Sequence, residues 1–205
     1  MNILAIGAHP DDIEIGCGGT LLKYARAGHN VFLLVLTEGN IGGEPAVRKA
    51  EQEKVAGYIG AKGLFFGGYR DTELEDNRDL ILTIEQVKDK TDPDIVFLNY
   101  SEDTHQDHRA ASNAGVSATR YVKEVLFYEV PTSFNFDPKI FVNVEDVLED
   151  KMKLLRLHAS QFDKTRVKNL TIEESAHACA VFRGYQGRVK FAEGFKPLRI
   201  QRDIV

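Results

Sequence analysis

The chain has 205 residues, 43% of them apolar and 28% charged, with a formal net charge of −5. That length buries a core without staples and fits a single domain over 1–205; the composition is that of an ordered globular protein, and no segment approaches the roughly 18 uncharged apolar residues of a membrane span. The acidic balance argues against a phosphate-backbone partner, so no nucleic acid is expected, although a small anionic ligand stays open.

In chain order, an apolar run over 2–7 predicts a strand and 18–28 a helix, followed by a second strand at Asn30-Val31-Phe32-Leu33-Leu34-Val35-Leu36. A helix over 45–60 leads to a strand at 63–66, one over 77–90 to a strand at 94–99, and one over 107–121 to a strand at 124–129. Unbroken apolar runs suit parallel strands covered on both faces. The β-α-β-α order predicts a Rossmann-like, doubly wound, mainly parallel α/β sheet flanked by helices. Helices at 145–160 and 171–185 and a short strand near 197–201 complete the pattern. No repeat or Pro/Gly/Ser-rich linker marks a boundary. The first strand begins at Asn2 with no basic leader and cleavage site, which points to a cytoplasmic protein. Cys17 and Cys179, far apart and in no metal-binding spacing, are expected to be reduced, with Cys17 near enough to the first motif to line a site.

Two motifs follow apolar strands. His9-Pro10-Asp11-Asp12 comes directly after the first strand and before a glycine-rich turn, Gly16-Cys17-Gly18-Gly19-Thr20; His105-Gln106-Asp107-His108 comes shortly after the strand at 94–99. Parallel strands bring their C-terminal ends to one edge. If the first three strands wind outward and the fourth returns beside the first, the motifs flank the switch point where such sheets bind ligands. Each motif alone reads equally as a capping turn at a helix start. Together they predict a divalent metal site. His9 and Asp12 are three apart, as are His105 and His108, so each pair projects to one side; His9, Asp12 and His108 then give three ligands and an open position, the catalytic zinc arrangement, with Asp11 left as a free carboxylate. The glycines do not follow the dinucleotide fingerprint and instead suggest tight packing at a helix start.

The chain resembles, essentially end to end, the PIG-L or LmbE-like family of zinc-dependent de-N-acetylases acting on N-acetylglucosamine-containing substrates. The specific part is Ala8-His9-Pro10-Asp11-Asp12 with His105-Gln106-Asp107-His108; Thr37-Glu38-Gly39, Arg48 with Glu51, Asp71, Tyr128-Glu129-Val130-Pro131 and His158-Ala159-Ser160-Gln161 support it. The resemblance implies one zinc ion per chain on His9, Asp12 and His108, with Fe(II) or another divalent ion as alternatives. It implies Asp11 as general base, His105 as oxyanion stabiliser or acid, and Asp107 as the carboxylate that fixes the tautomer of His105 and keeps it protonated. Arg48 and Asp71 fall where the family contacts the sugar or its substituent, although a helix pair with Glu51 and a turn role explain them as well. The implied substrate is a small amino sugar or its conjugate, losing acetate, and the implied assembly a homo-oligomer such as a hexamer. A metal hydrolase for another amide or phosphoester and a non-catalytic ligand-binding module are the alternatives; Asp11 speaks against the module. Some members carry a tyrosine just before the second motif, where this chain has Ser101-Glu102-Asp103-Thr104 and Tyr100 sits back toward the strand. Acidic residues there are expected to shape specificity. His29 and His177 read as surface residues.

Overall fold

Along the first strand, β1 (Asn2–Gly7), Ile3 and Ala5 join the apolar layer on one side of a sheet, and Leu4 and Ile6 join the layer on the other. That alternation is the two-residue period of a strand covered on both faces. The computed structural model describes residues 1–201. After β1 come α1 (Asp12–Arg26), β2 (Asn30–Thr37), α2 (Pro45–Ile59), β3 (Gly63–Tyr69), α3 (Arg78–Thr91), β4 (Ile95–Asn99), α4 (Gln106–Ala118) and β5 (Glu124–Tyr128). Then follow β6 (Ile140–Asn143), a 3-10 turn at Glu145–Val147, α5 (Leu148–Leu157), α6 (Ile172–Gly187) and β7 (Ala192–Arg199).

The sheet runs β3-β2-β1-β4-β5-β7-β6. Its first five strands are parallel, β7 lies antiparallel to β5, and β6 antiparallel to β7. The mainly parallel, doubly wound α/β sheet is therefore as expected, with the switch point between β1 and β4. Ile13, Cys17 and Leu21 of α1 cover one face, while Leu80 and Ile84 of α3 and Ala110 and Ala114 of α4 cover the other. Each fully buried Leu or Ile side chain contributes about 1.5–3 kcal/mol of transfer free energy. Among the described residues, no helix is long and apolar enough to cross a membrane.

Three expectations need correction. Helix α1 begins at Asp12, not 18, so Gly16 to Gly19 lie inside a helix rather than in a turn. Gly16 is there because α1 rides on Tyr128: a Cβ at position 16 would sit 2.1 Å from the ring. Cys17, on the same helix, is wholly buried in the core, so it does not line the cleft. The last third contains an unforeseen strand, β6, and β7 starts at 192 rather than near 197. β7 clamps α1, since the Glu193 carboxylate accepts from the backbone N–H groups of Gly19 and Thr20 and pairs with buried Lys151 at 2.6 Å.

Candidate metal centre and cleft

The end of β1 is fastened to its neighbours before the first motif begins. Ala8 N–H donates to Asn99 Oδ1 at the end of β4, and Thr37 N–H at the end of β2 donates to Ala8 O. The turn that follows closes on itself, with His9 N–H donating to Asp12 Oδ2 at 3.0 Å. Asp11 caps α1 with φ 103° and ψ −27°. A side chain in this left-handed region is strained by about 1–3 kcal/mol, a pattern that clusters at functional sites. The second motif opens α4, where His105 is the N-cap and its Nδ1 accepts from Asp107 N–H at 3.2 Å.

Folding brings the two motifs together. His9 Nδ1 lies 3.1 Å from His108 Nε2, His108 Nε2 3.3 Å from Asp12 Oδ2, and His9 Nδ1 3.5 Å from Asp12 Oδ2. Tetrahedral coordination at zinc distances of about 2.0–2.1 Å separates neighbouring donors by about 3.3 Å, so the triangle has the right size. The rest of each imidazole decides its proton. His9 Nε2 faces Asp71 Oδ1 and Asp107 Oδ2, both at 3.1 Å, and His108 Nδ1 lies 3.2 Å from Asp103 Oδ2. With those N–H groups committed to carboxylates, the facing nitrogens and the Asp12 oxygen present lone pairs to one point. This is the carboxylate–histidine support that metal-binding imidazoles typically have. The nitrogens of His9, His105 and His108 also approach one another closely enough to share an ion, as do ligand atoms of His9, Asp71, His105 and Asp107.

Electrostatics agree with the donor set. Burial alone would lower the pKa of His9, but Asp107, Asp12 and Asp71 hold it well above the usual value; burial likewise opposes His108, yet Asp12 and Asp103 bring it to about 9. The surrounding carboxylates favour positive charge at this point. Burial would raise Asp12, but His108 and His9 hold it well below the usual carboxylate range. Its neighbour goes the other way: burial raises Asp11, Arg48 only partly offsets this, and the adjacent Asp12 charge adds to the rise. Arg48 reaches Asp11 Oδ2 at 3.2 Å and also donates to Gly39 O and Pro10 O.

All eight residues expected from the sequence converge here, with two changes of partner. The Asp107 carboxylate binds His9 Nε2 and Thr72 N–H rather than the ring of His105, to which Asp107 gives its backbone N–H. Burial and the neighbouring His9 and His108 lower the pKa of His105, against the expected pull of Asp107 toward the protonated form. Asp71 faces the cleft and supports His9 as well. The sequence reading missed Asp103 as a support. It is 1% exposed, holds His108, and accepts from His105 N–H and Ser133 O–H; this places it behind the centre, where it does not touch incoming substrate. Its position just before the helix-starting His105 was the available signal. Tyr100 bonds to Glu102 and Lys196, away from the motifs. Also missed was a buried network on α1 and α2, in which Glu14 accepts from Gln52 and contacts His158 Nε2 at 3.2 Å. Above these residues opens a cleft of about 700 Å³, lined by Asp11, Arg48, His105, Thr132, Lys164 and Arg166 among others.

An α/β sheet with a cation-seeking centre at its switch point is what the fold and site define. The chain belongs to the PIG-L family, whose model, described as GlcNAc-PI de-N-acetylase, matches residues 4–119. A protein named uncharacterized deacetylase YaiS, from Escherichia coli K12, is 34% identical over 77% of this chain and 90% of its own length. A diacetylchitobiose deacetylase from Thermococcus kodakarensis is 31% identical over 95% of this chain and 82% of its own. Among solved structures, the N,N'-diacetylchitobiose deacetylase from Pyrococcus horikoshii superposes with a TM-score of 0.85 at 27% identity, covering 96% of this chain and 83% of the other.

Proposed function

We propose that the protein is a metal-dependent amide hydrolase that removes the N-acetyl group of an N-acetylglucosamine-type sugar or conjugate and releases acetate. The observation that carries this is the triangle of three acceptor atoms, His9 Nδ1, Asp12 Oδ2 and His108 Nε2, at 3.1–3.5 Å. These three residues would hold one divalent ion, zinc by preference, with Fe(II) the alternative for a two-histidine, one-carboxylate face. When bound, such an ion supplies Lewis-acid polarisation of a carbonyl and brings the pKa of water to about 7.

The chain's own groups supply the rest. Asp11 is a carboxylate of raised basicity at the mouth of the site, suited to take the proton of the attacking water. Arg48 fixes its orientation through Oδ2. His105 accepts at Nδ1 from Asp107 N–H, which leaves its proton on Nε2 as a donor to the developing oxyanion. The proton taken by Asp11 passes to the departing amine, which balances the reaction.

The test is incubation of zinc-loaded protein with a panel of N-acetyl sugars, with acetate and new primary amine measured separately. Both products are expected in equal amounts. Neither product, from a protein that holds its metal, would remove the proposal.

A further inference from the structure

Arg48, Glu51 and Gln52 share one face of α2, three and four residues apart, and none is more than 5% exposed. Two polar rungs cross from that face to α1. On the first, Arg48 Nη2 donates to Asp11 Oδ2 at 3.2 Å; on the second, one turn further along both helices, Gln52 Nε2 donates to Glu14 Oε1 at 2.8 Å. His158, at the end of α5, completes the second rung by placing Nε2 3.2 Å from Glu14 Oε2. Glu51 ties down the same segment, accepting from Ser160 N–H at 2.8 Å and from its hydroxyl at 2.7 Å.

Charge makes the second rung matter to the first. Asp11 and Glu14 are buried carboxylates one turn apart, and a helical turn of about 5.4 Å is within the span of an arginine side chain. Gln52 is neutral, so His158 is the group that balances Glu14. Burial would lower the pKa of His158, but Glu14 at its Nε2 holds it above the usual value. Without that cation, Glu14 becomes an uncompensated buried charge that competes with Asp11 for the guanidinium.

The seam does more than tie three elements together. The buried pair of Lys151 and Glu193 is saturated, since Lys151 also donates to Ile15 O and Glu193 accepts from Gly19 and Thr20. Here, by contrast, Arg48 Nε, Gln52 Oε1 and His158 Nδ1 have no hydrogen-bond partner among the described residues. Each is a buried polar group that destabilises the fold, and a cluster retained despite that calls for a reason other than stability. Glu14, Gln52 and His158 do not line the cleft, so their route to the substrate runs through Arg48 and Asp11, which do.

We infer that His158 is a positioning residue for the reaction: by balancing the Glu14 carboxylate it reserves the Arg48 guanidinium for Asp11 and keeps that base aimed into the cleft. This rests on reading Asp11 as the base of a deacetylase.

The experiment compares wild type, His158→Gln and the neutral pair Glu14→Gln/His158→Gln, all zinc-loaded, on the methyl glycoside of N-acetylglucosamine. A glutamine still donates to Glu14 but brings no charge. His158→Gln is expected to lower kcat about tenfold, with KM and zinc content unchanged, because a misaimed base loses part of its effect. Neutralising Glu14 as well removes the competitor and should return kcat to within about threefold of wild type. The Asp11→Asn background separates positioning from a structural tie. With no base left to aim, His158→Gln should lower kcat there less than about twofold, whereas a structural defect lowers it equally in both backgrounds. Unchanged kcat in His158→Gln, no recovery in the neutral pair, or equal losses in the two backgrounds overturns the inference. Should His158→Gln not fold, the neutral pair decides by itself, recovery supporting the inference and a loss of about tenfold overturning it. Crystal structures of wild type and His158→Gln give a readout that needs no turnover, with Arg48 expected on Asp11 in the first and on Glu14 in the second. If wild type released no acetate, the deacetylase reading would fall, and the place of Arg48 would decide the rest: moved to Glu14, the positioning of Asp11 by His158 stands; still on Asp11, it falls too.

Discussion

The floor and the rim of the cleft are held by opposite means. On the floor, His9, Asp12, Asp107 and His108 are at most 7% exposed, and each side chain has two or more polar partners. On the rim, Lys164 and Arg166 are exposed, and Lys164 reaches only a carbonyl. The difference is one of constraint. A floor atom cannot move without breaking several bonds in a dry environment, where each unsatisfied polar group is destabilising by about 1–3 kcal/mol. A rim side chain that lacks such partners can be exchanged without breaking those bonds.

The strongest way to break the contrast is at His108, whose Nε2 is a corner of the donor triangle. His108→Ala should lose most of the bound metal and roughly 10³-fold or more of turnover, since a site that polarises a carbonyl contributes several kcal/mol. Elemental analysis of the purified variant, together with acetate release, checks this. Full metal stoichiometry with wild-type turnover would disprove the ligand assignment.

Next in size is a contrast within the floor itself. Asp11 and Asp12 are adjacent, yet one is raised and held only at Oδ2 by Arg48, while the other is lowered by two imidazoles. Asp11→Asn should keep metal and fold and lose about 10² to 10⁴ in kcat, because only proton transfer is removed. Asp12→Asn should lose metal first. Identical metal titrations and kinetics for the two variants would mean that the neighbours share one role.

Much of this was legible in the sequence because strand ends are. The buried runs of β1 and β4 announced a parallel sheet, and a motif shortly after each run had to lie on one edge. What stayed hidden depends on partners far along the chain. The strand expected at 63–66 instead continues to Tyr69 through a register shift, where Gly68 takes φ 74° and a Cβ on Gly67 would lie 2.7 Å from Leu36 O. β7 contains Gly194, Pro197 and three charged residues, and no local periodicity reveals that Glu193 is buried against α1. Asp103 was hard to assign as a support for the same reason: beyond its place before a helix start, its ion pair with His108 crosses that start and its bond with Ser133 spans 30 residues.

Asp103 therefore gives a sharper, smaller test. It and Glu102 are neighbours in one loop, but Asp103 is buried against His108 while Glu102 binds Tyr100 and Asn135 at the surface. Asp103→Asn removes the charge that orients His108 and should weaken metal affinity about 10- to 100-fold. Glu102→Gln should leave it unchanged. Competition with a chromogenic chelator measures both, and equal affinities across wild type and the two variants would reduce Asp103 to a loop tie.

The smallest effect is expected where the ties are exposed altogether. Asp150 of α5 receives Tyr58 O–H at 2.6 Å and Arg26 at 2.5 Å, joining α5 to α2 and α1. The Tyr58 hydrogen bond, then Arg26, lower its pKa to about 2, against about 3.9 for an unfolded aspartate. A depressed carboxylate contributes stability that is fully present above the unfolded pKa and lost as pH falls through the folded one, so the window runs from about pH 4 down to about pH 2. Because the pair lies in solvent, screening limits the contribution to below about 1 kcal/mol. Asp150→Asn should accordingly lower the urea midpoint only slightly at pH 7, and the gap from wild type should narrow as pH drops below 4. A gap that held constant from pH 7 to pH 3 would show that packing of the Asp150 side chain, rather than its charge, ties the three helices together.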